Sequence, residues 1–567
     1  MHKRMPLSLS FPVPLLLLLL FSGLCPTLSA IVVSIKSVTT IAKTDDNFVC
    51  ATMDWWPPDK CNYGICPWGN SSILNLDLNN PILVNALKAF GSLRIRIGGS
   101  LQDQVSYKVG DSVHACPDFK INKRGLFGFT KGCLPMQRWD ELNKLFKSTG
   151  SIITFGLNAL AGRSKSNSSG NLYEGQWDPT NARDFIKYTL SKNYTIESWE
   201  LGNELSGSGV SASVEAVQYG KDMIVLKNVI NDLYGQSKQH PKLLAPGGFF
   251  DEKWFADMLQ TSGPGVIDAA THHIYNLGPG NDKDLIRKIQ DPYYLDQVAQ
   301  TFNDALITVG EFGPWSSPWI GESGGAYNSG GKSVSNAFVD GFWYLDQLGM
   351  ASAYNHKVYC RQALIGGNYC LLDTTTFVPN PDFYRFVPQN LFDCFALAPT
   401  DGTGSSSHNK RRLALPSCIR SLLQQEGKIR RITVFFSRTI LHAAIDLFLQ
   451  SGVTLLLINL SNSTAFDVVV TSDLNLYPPR SAGFSFTSAN EQGQHGEREE
   501  YHLTAQGGDL RSSEMLLNGK LLKLTPSFEI PPMEPSIASA GAPLRIAPLS
   551  IAFVRFKDFK APACAGN

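Results

Sequence analysis

Two carboxylates stand where chemistry on a sugar could be done. Glu204 closes the run Ser198-Trp-Glu-Leu-Gly-Asn-Glu204, a short apolar segment that ends on a polar pair, Asn203-Glu204. Glu322 stands in Trp319-Ile-Gly-Glu-Ser-Gly-Gly-Ala-Tyr-Asn-Ser-Gly-Gly331, where glycines allow a ligand to approach the backbone closely. Cleavage of a glycosidic bond with retention needs two such groups about 5–5.5 Å apart. One protonates the leaving oxygen and the other attacks the anomeric carbon. Two further acids compete for these roles. Glu311, in Val309-Gly-Glu-Phe-Gly313, also has the look of a strand end. Glu200 precedes Glu204 by two alternations and can share its face. A lone buried glutamate of that kind is more often half of a structural ion pair.

Eight β-type runs must position these acids, four of them ending in Gly, Asn or an acid. They are Phe48 to Trp55, Leu93 to Gly98, Ile152 to Asn158, Ile196 to Glu204, Leu243 to Pro246, Ala269 to Tyr275, a run near Ile307 or Trp319 that leads to Glu322, and Ala353 to Arg361. Helical patterns fall between them, at Pro81 to Phe90, Met136 to Phe146 and Ser213 to Leu233. Buried strands alternating with helices predict a parallel α/β architecture. Eight units predict a closed (β/α)8 TIM barrel over residues 48–384, with its site at the C-terminal strand ends. A doubly wound sheet is the rival. Arg96-Ile-Gly-Gly-Ser100 lacks the spacing of the phosphate turn such a sheet would carry.

After about residue 385 the rhythm breaks. Val453 to Asn459, Ala465 to Thr471, Gly483 to Phe486, Tyr501 to Thr504, Leu516 to Leu524 and Pro548 to Phe556 read as short strands. They predict a β-sandwich domain over 452–567, which the strand-like segment within 31–47 can join.

The chain has 567 residues and a formal charge of +1, a balance that argues against a nucleic-acid partner. Residues 1–30 read as a signal peptide: Met1-His-Lys-Arg4 is basic, Pro14 to Leu24 is apolar, and Leu28-Ser29-Ala30 offers a cleavage site. The apolar run is short for a membrane span, and the polar end Phe556 to Asn567 lacks the tail of a lipid anchor, so any membrane association would be peripheral. Sequons at Asn70, Asn167, Asn193, Asn459 and Asn462 suit a secreted glycoprotein. Without Cys25, ten cysteines remain, an even number that permits disulfides. Cys61 with Cys66 and Cys116 with Cys133 are local candidates. No Cys-x-x-Cys or paired Cys/His spacing supports a metal, and nothing calls for a cofactor. His272 and His273 point to opposite faces of a strand, which favours a structural role.

Trp199-Glu-Leu-Gly-Asn-Glu204, Thr271-His-His-Ile-Tyr275, Gly321-Glu-Ser-Gly-Gly-Ala-Tyr327 and Arg361-Gln-Ala-Leu-Ile-Gly-Gly-Asn-Tyr369 occur in that order. Together they resemble the plant heparanase-like proteins of glycoside hydrolase family 79, which also holds animal heparanase and plant β-glucuronidases. The resemblance covers about 31–384 and resumes near Gly452. It implies a barrel with a β-sandwich and a retaining enzyme acting on β-linked glucuronic acid. Glu204 takes the acid/base role, Glu322 the nucleophile role, and Glu311 none. Asn203 would bond the sugar 2-OH, and the Tyr275 hydroxyl would help keep Glu322 ionised. Backbone amides near Asn328 and Ser329 and the hydroxyl of Tyr369 would hold the uronate, while Asp54 and Ser100 would meet other hydroxyls.

Residues 385–451 depart from the family pattern. Ala398-Pro-Thr-Asp-Gly-Thr-Gly-Ser-Ser-Ser407 is followed by Asn409-Lys-Arg-Arg412 and by scattered bases from Arg420 to Arg438. This is either a divergent or frame-shifted segment or a basic insert for a polyanion. Three functions follow. The first is a secreted exo-β-glucuronidase acting on a glucuronic-acid-containing glycan or a small glucuronide, in the wall, the vacuole or a lysosome-like compartment. The second is an endo-acting heparanase on sulfated chains; the absence of a dense Lys/Arg run in the barrel weighs against it. The third is an inactive wall or carbohydrate-binding protein.

Overall fold

The computed structural model describes residues 31–36, 42–109, 115–167, 170–235, 240–386, 394–396, 429–436, 453–473 and 496–557. The expected signal peptide, the strand at Gly483 to Phe486 and most of 385–451 lie outside these residues.

Strand β1 is Ile31–Lys36. Eight parallel strands then close a barrel in chain order: β2 (Val49–Met53), β3 (Arg94–Ile97), β4 (Ile152–Leu157), β5 (Ser198–Leu201), β6 (Lys242–Phe249), β7 (Ala269–Ile274), β8 (Ser317–Ser323) and β9 (Tyr359–Arg361). Strand β9 pairs back onto β2, with Cys360 opposite Cys50, and a disulfide joins these two residues. Cys61–Cys66 and Cys116–Cys133 form the other two disulfides among the described residues.

The intervening helices form for local reasons. In α1 (Pro81–Ala89), Asn80 accepts from the amides of Ile82 and Leu83, and Pro81 occupies the first turn, where its missing N–H is harmless. Helix α2 (Met136–Thr149) ends on Gly150, whose φ of 71° suits glycine. Its Trp139 meets Phe155 of β4 edge-on, with ring centroids 5.1 Å apart, and Phe155 likewise meets Trp199 of β5 at 5.7 Å. Such pairs add roughly 0.5–1.5 kcal/mol beyond area burial. They lock the strand that precedes Glu204 against the helical layer.

Two parts of the sequence reading need correction. Ile307 and Glu311 lie in a helix, α3 (Ala299–Phe312), and both are exposed. That helix buries Phe302, Ala305 and Val309 at helical spacing, so the 3.6-residue period outweighs the β-like Leu-Ile-Thr-Val. The last barrel strand is also shorter than expected, because Ala353 ends a helix, α4 (Asp340–Ala353).

Beyond the barrel, β10 (Cys394–Ala396), β11 (Ile429–Phe436), β12 (Val453–Asn459), β13 (Phe466–Asp473), β14 (Glu497–Ala505), β15 (Met515–Leu517), β16 (Lys520–Leu521), β17 (Ser536–Ser539), β18 (Leu544–Ile546) and β19 (Ser550–Phe556) build two sheets. The larger is antiparallel and runs β10-β11-β12-β19-β14-β15-β16, with β17 beside β14. The smaller runs β1-β13-β18, with β1 parallel to β13. Strand β12 shows why it is apolar throughout. Leu456 and Ile458 join the barrel core, while Val453, Leu455 and Leu457 pack with Val33, Val468 and Leu544 of the smaller sheet. One strand therefore faces two cores.

The sequon at Asn459 needs correction as well. Its amide nitrogen is buried and donates to the carbonyls of Thr464, Ile546 and Ala547 at 2.9, 3.3 and 2.8 Å. A glycan cannot attach there in the folded chain. Asn70, Asn167, Asn193 and Asn462 are exposed.

Candidate active site

Glu204 and Glu322 both stand at the C-terminal mouth of the barrel, Glu204 after β5 and Glu322 as the penultimate residue of β8. The chain leaves β5 through Gly202 at φ 73°, where a Cβ would lie 2.5 Å from the Tyr219 hydroxyl. Only glycine fits there. Glu204 itself takes φ 54°, a conformation uncommon for a side-chain-bearing residue and found preferentially at functional sites. Its amide donates to the Gly247 carbonyl at 2.7 Å, which fixes the turn. Opposite it, the β7–β8 ladder skips a residue between His272 and His273, so that His273 pairs with Glu322. This bulge turns the Glu322 side chain inward.

The two glutamates and His273 each place a ligand atom within 4.8 Å of the other two. All three side chains are buried. Glu322 accepts from Arg96 Nη1 at 2.8 Å and from the Tyr275 hydroxyl at 2.6 Å. Glu204 accepts no such cation directly. Burial pushes its carboxyl up to about 7, and the Arg96 charge opposes this only in part. His273 Nδ1 lies 3.1 Å from Glu204 Oε1, and burial lowers this imidazole to about 4, so it is neutral above that pH. Its Nε2 is buried with no partner. Two carboxylates and an imidazole could hold a cation, but the Arg96 guanidinium already supplies positive charge to the same carboxylate.

Arg96 organises the floor. Its Nε donates to Glu200 Oε2 at 2.7 Å and its Nη2 to Asn203 Oδ1 at 2.9 Å, in addition to Glu322. Glu200 also accepts from the Thr271 hydroxyl at 2.8 Å. Glu200 is therefore one end of a buried ion pair rather than an acid open to substrate. Asn203 Nδ2 is buried and unpaired, and so is free for a ligand.

The remaining expected residues ring this centre. Burial and the neighbouring Glu322 push Asp54 up to about 7, although it accepts from the Trp55 amide and from Gln362 Nε2. Gly99 leaves room for it, since a Cβ there would lie 2.4 Å from its Oδ2. Ser100 is half-buried on the same turn. Tyr369 is buried edge-on against Trp68, and Cβ atoms at Gly324, Gly330 or Gly367 would strike its ring. Asn328 and Ser329 take φ of 58° and 72°. Their side chains turn away: Asn328 Nδ2 donates to the Tyr63 hydroxyl and Ser329 Oγ to Asn62 Oδ1. Their backbone amides are left for substrate, while the Ser329 carbonyl accepts from the Asn368 amide at 2.7 Å.

Sequence reasoning missed Arg96 and misjudged His273. An arginine inside an apolar strand must find a buried carboxylate, and Glu200, two strands along the barrel, was the signal. His272 does pack outward, with its Nε2 2.9 Å from that of His356, and only His273 enters the centre.

A closed parallel barrel with two buried carboxylates at its C-terminal mouth is the framework of a glycoside hydrolase. The chain belongs to one such family, glycosyl hydrolase family 79, whose N-terminal domain matches residues 30–349. It is 50% identical to heparanase-like protein 1 of Arabidopsis thaliana, over 94% of each chain. It is 35% identical to the baicalin-β-D-glucuronidase of Scutellaria baicalensis, over 91% of this chain and 90% of that one. Among solved structures, a 4-O-α-L-rhamnosyl-β-D-glucuronidase from Fusarium oxysporum shares the fold, with a TM-score of 0.60 at 14% identity. That match covers 93% of this chain and 100% of the other.

Proposed function

We propose that this chain is a secreted exo-β-glucuronidase that cleaves β-linked glucuronic acid with retention. The observation that supports this reading is the asymmetric pair of buried glutamates, which bring one carboxylate oxygen each within 4.8 Å of the other, as retaining enzymes with carboxyl groups about 5–5.5 Å apart require. Glu322, held by Arg96 and Tyr275, attacks the anomeric carbon. Glu204, protonated below about pH 7, donates its proton to the leaving oxygen, then takes one from water in the second step. Asn203 Nδ2 bonds the 2-OH. The Asn328–Ser329 backbone and Tyr369 receive the uronate, while Asp54 and Ser100 meet the other hydroxyls. The similarity to a baicalin-β-D-glucuronidase favours a small glucuronide or a chain-end residue as substrate.

The test is release from an aryl β-glucuronide, with the anomer of the first product followed by NMR. A β-anomer supports the reading. An α-anomer excludes retention, and no release at all favours an inactive carbohydrate-binding protein.

The pH profile should follow from Glu204. Its proton is present below about 7 and lost above it. For a glucuronide with an alkyl leaving group, kcat/KM should therefore fall about tenfold per pH unit on the alkaline side of 7. A profile flat to pH 9 would remove Glu204 from the acid role.

The three disulfides suit an oxidising compartment, and no helix among the described residues is long and apolar enough to cross a membrane. Asn70, Asn167, Asn193 and Asn462 are the glycan acceptors this reading expects.

A further inference from the structure

Three consecutive polar residues, Gln102, Asp103 and Gln104, are buried in the turn that follows β3. Burying such groups is costly unless each finds a partner. Each finds one on the backbone of another loop. Gln102 Nε2 donates to the Leu157 carbonyl and Gln104 Nε2 to the Leu126 carbonyl, both at 3.0 Å. Asp103 reaches two loops at once. Its Oδ1 accepts from the Ala159 amide at 2.7 Å and its Oδ2 from the Asn203 amide at 2.9 Å. Ala159 and Asn203 lie two residues past Leu157 and Leu201, which pair at the ends of β4 and β5. One carboxylate therefore ties together the exits of three successive barrel strands.

This pattern needs the ionised form, because a protonated oxygen would meet an N–H donor. Burial pushes the Asp103 carboxyl up to about 7, against the pull of the two amides and of the Arg163 and Arg96 charges. Asn203 is thus held at two points from the same strand end. Asp103 fixes its backbone amide, and Arg96 Nη2 fixes its Oδ1 at 2.9 Å. What is left is its Nδ2, buried and without a partner. Glu204, the next residue, has an anchor of its own on β6, since its amide donates to the Gly247 carbonyl.

We propose that Asp103 is a positioning residue that acts through Asn203, holding Nδ2 against the 2-hydroxyl of the sugar in the transition state. The proposal rests on the glucuronidase reading, in which Asn203 bonds that hydroxyl. A carboxylate that only stiffened the barrel would affect all substrates alike. One that acts through Asn203 matters most for a substrate that carries the 2-hydroxyl.

The test compares kcat/KM on an aryl β-glucuronide and on its 2-deoxy analogue. It uses the full chain and its Asp103→Asn, Asn203→Ala and doubly substituted variants. The readout is the ratio between the two substrates, so the intrinsic reactivity of the deoxy sugar cancels between proteins. Asp103→Asn is isosteric but offers one acceptor oxygen to two amides. It should cut the parent's preference for the 2-hydroxyl roughly tenfold, the effect expected when one hydrogen bond is lost. Asn203→Ala should cut it at least as far, and adding Asp103→Asn should cut it no further. Asp103→Glu keeps the charge but moves it, should also lower the preference, and carries the test if Asp103→Asn does not fold. Equal losses on both substrates, an unchanged ratio, or failure of both Asp103 variants to fold beside a folded Asn203→Ala overturns the proposal. A parent that turns over the glucuronide with no preference for the 2-hydroxyl overturns it through Asn203 and leaves the glucuronidase reading standing. A parent that releases nothing from either substrate removes both.

Discussion

Glu322→Gln should reduce kcat on an aryl β-glucuronide by roughly ten-thousand-fold or more, the scale on which an enzyme loses activity with its nucleophile. The amide is a poor nucleophile, so the covalent intermediate cannot form. It also offers one acceptor oxygen where two donors, Arg96 Nη1 and the Tyr275 hydroxyl, now meet a carboxylate. Fold should persist, because the change is isosteric and the barrel layers around it are unaltered. Glu311→Gln is the matched control. Glu311 is exposed on a helix, and the variant should behave as the parent. Full activity in Glu322→Gln with a loss in Glu311→Gln would reverse the assignment.

The second large effect is expected at Arg96. One guanidinium serves Glu200, Glu322 and Asn203, and both it and Glu200 are only 1% exposed. Arg96→Met would strand two buried carboxylates without a counter-charge, at a cost of about 3–5 kcal/mol. The denaturation midpoint should fall accordingly, and activity should fall with it because Glu322 and Asn203 lose their common anchor. Adding Glu200→Leu should recover part of the stability, since it removes one stranded charge, but none of the activity. An Arg96→Met protein that unfolds with the parent would show that the network is slack.

These expectations also mark what could be read from the sequence. The barrel was legible because strands ending in Gly, Asn or an acid alternate with helices, and the glutamates stood at two of those ends. Glu311 misled because Leu-Ile-Thr-Val looks like a strand; only the burial of Phe302, Ala305 and Val309 on one helical face decides the matter. Arg96 was hidden inside Arg-Ile-Arg-Ile, where its partners come from strands 104 and 226 residues downstream. His273 was discounted by a correct alternation argument that did not ask which face each imidazole took. Asn459 satisfies the sequon pattern, but a tripeptide does not reveal that its amide is spent on three carbonyls. The pairing of Cys50 with Cys360 could not be read either, because it depends on the barrel closing.

That last bond spans 310 residues and stitches the first barrel strand to the eighth. A protease cut in any loop between these cysteines would leave both fragments covalently joined. The severed ends would remain at the high effective concentration of a single molecule. A nicked protein should therefore migrate as one species until it is reduced. The barrel closes like a hoop with a riveted seam, so damage to one loop need not release the strands that carry its two glutamates.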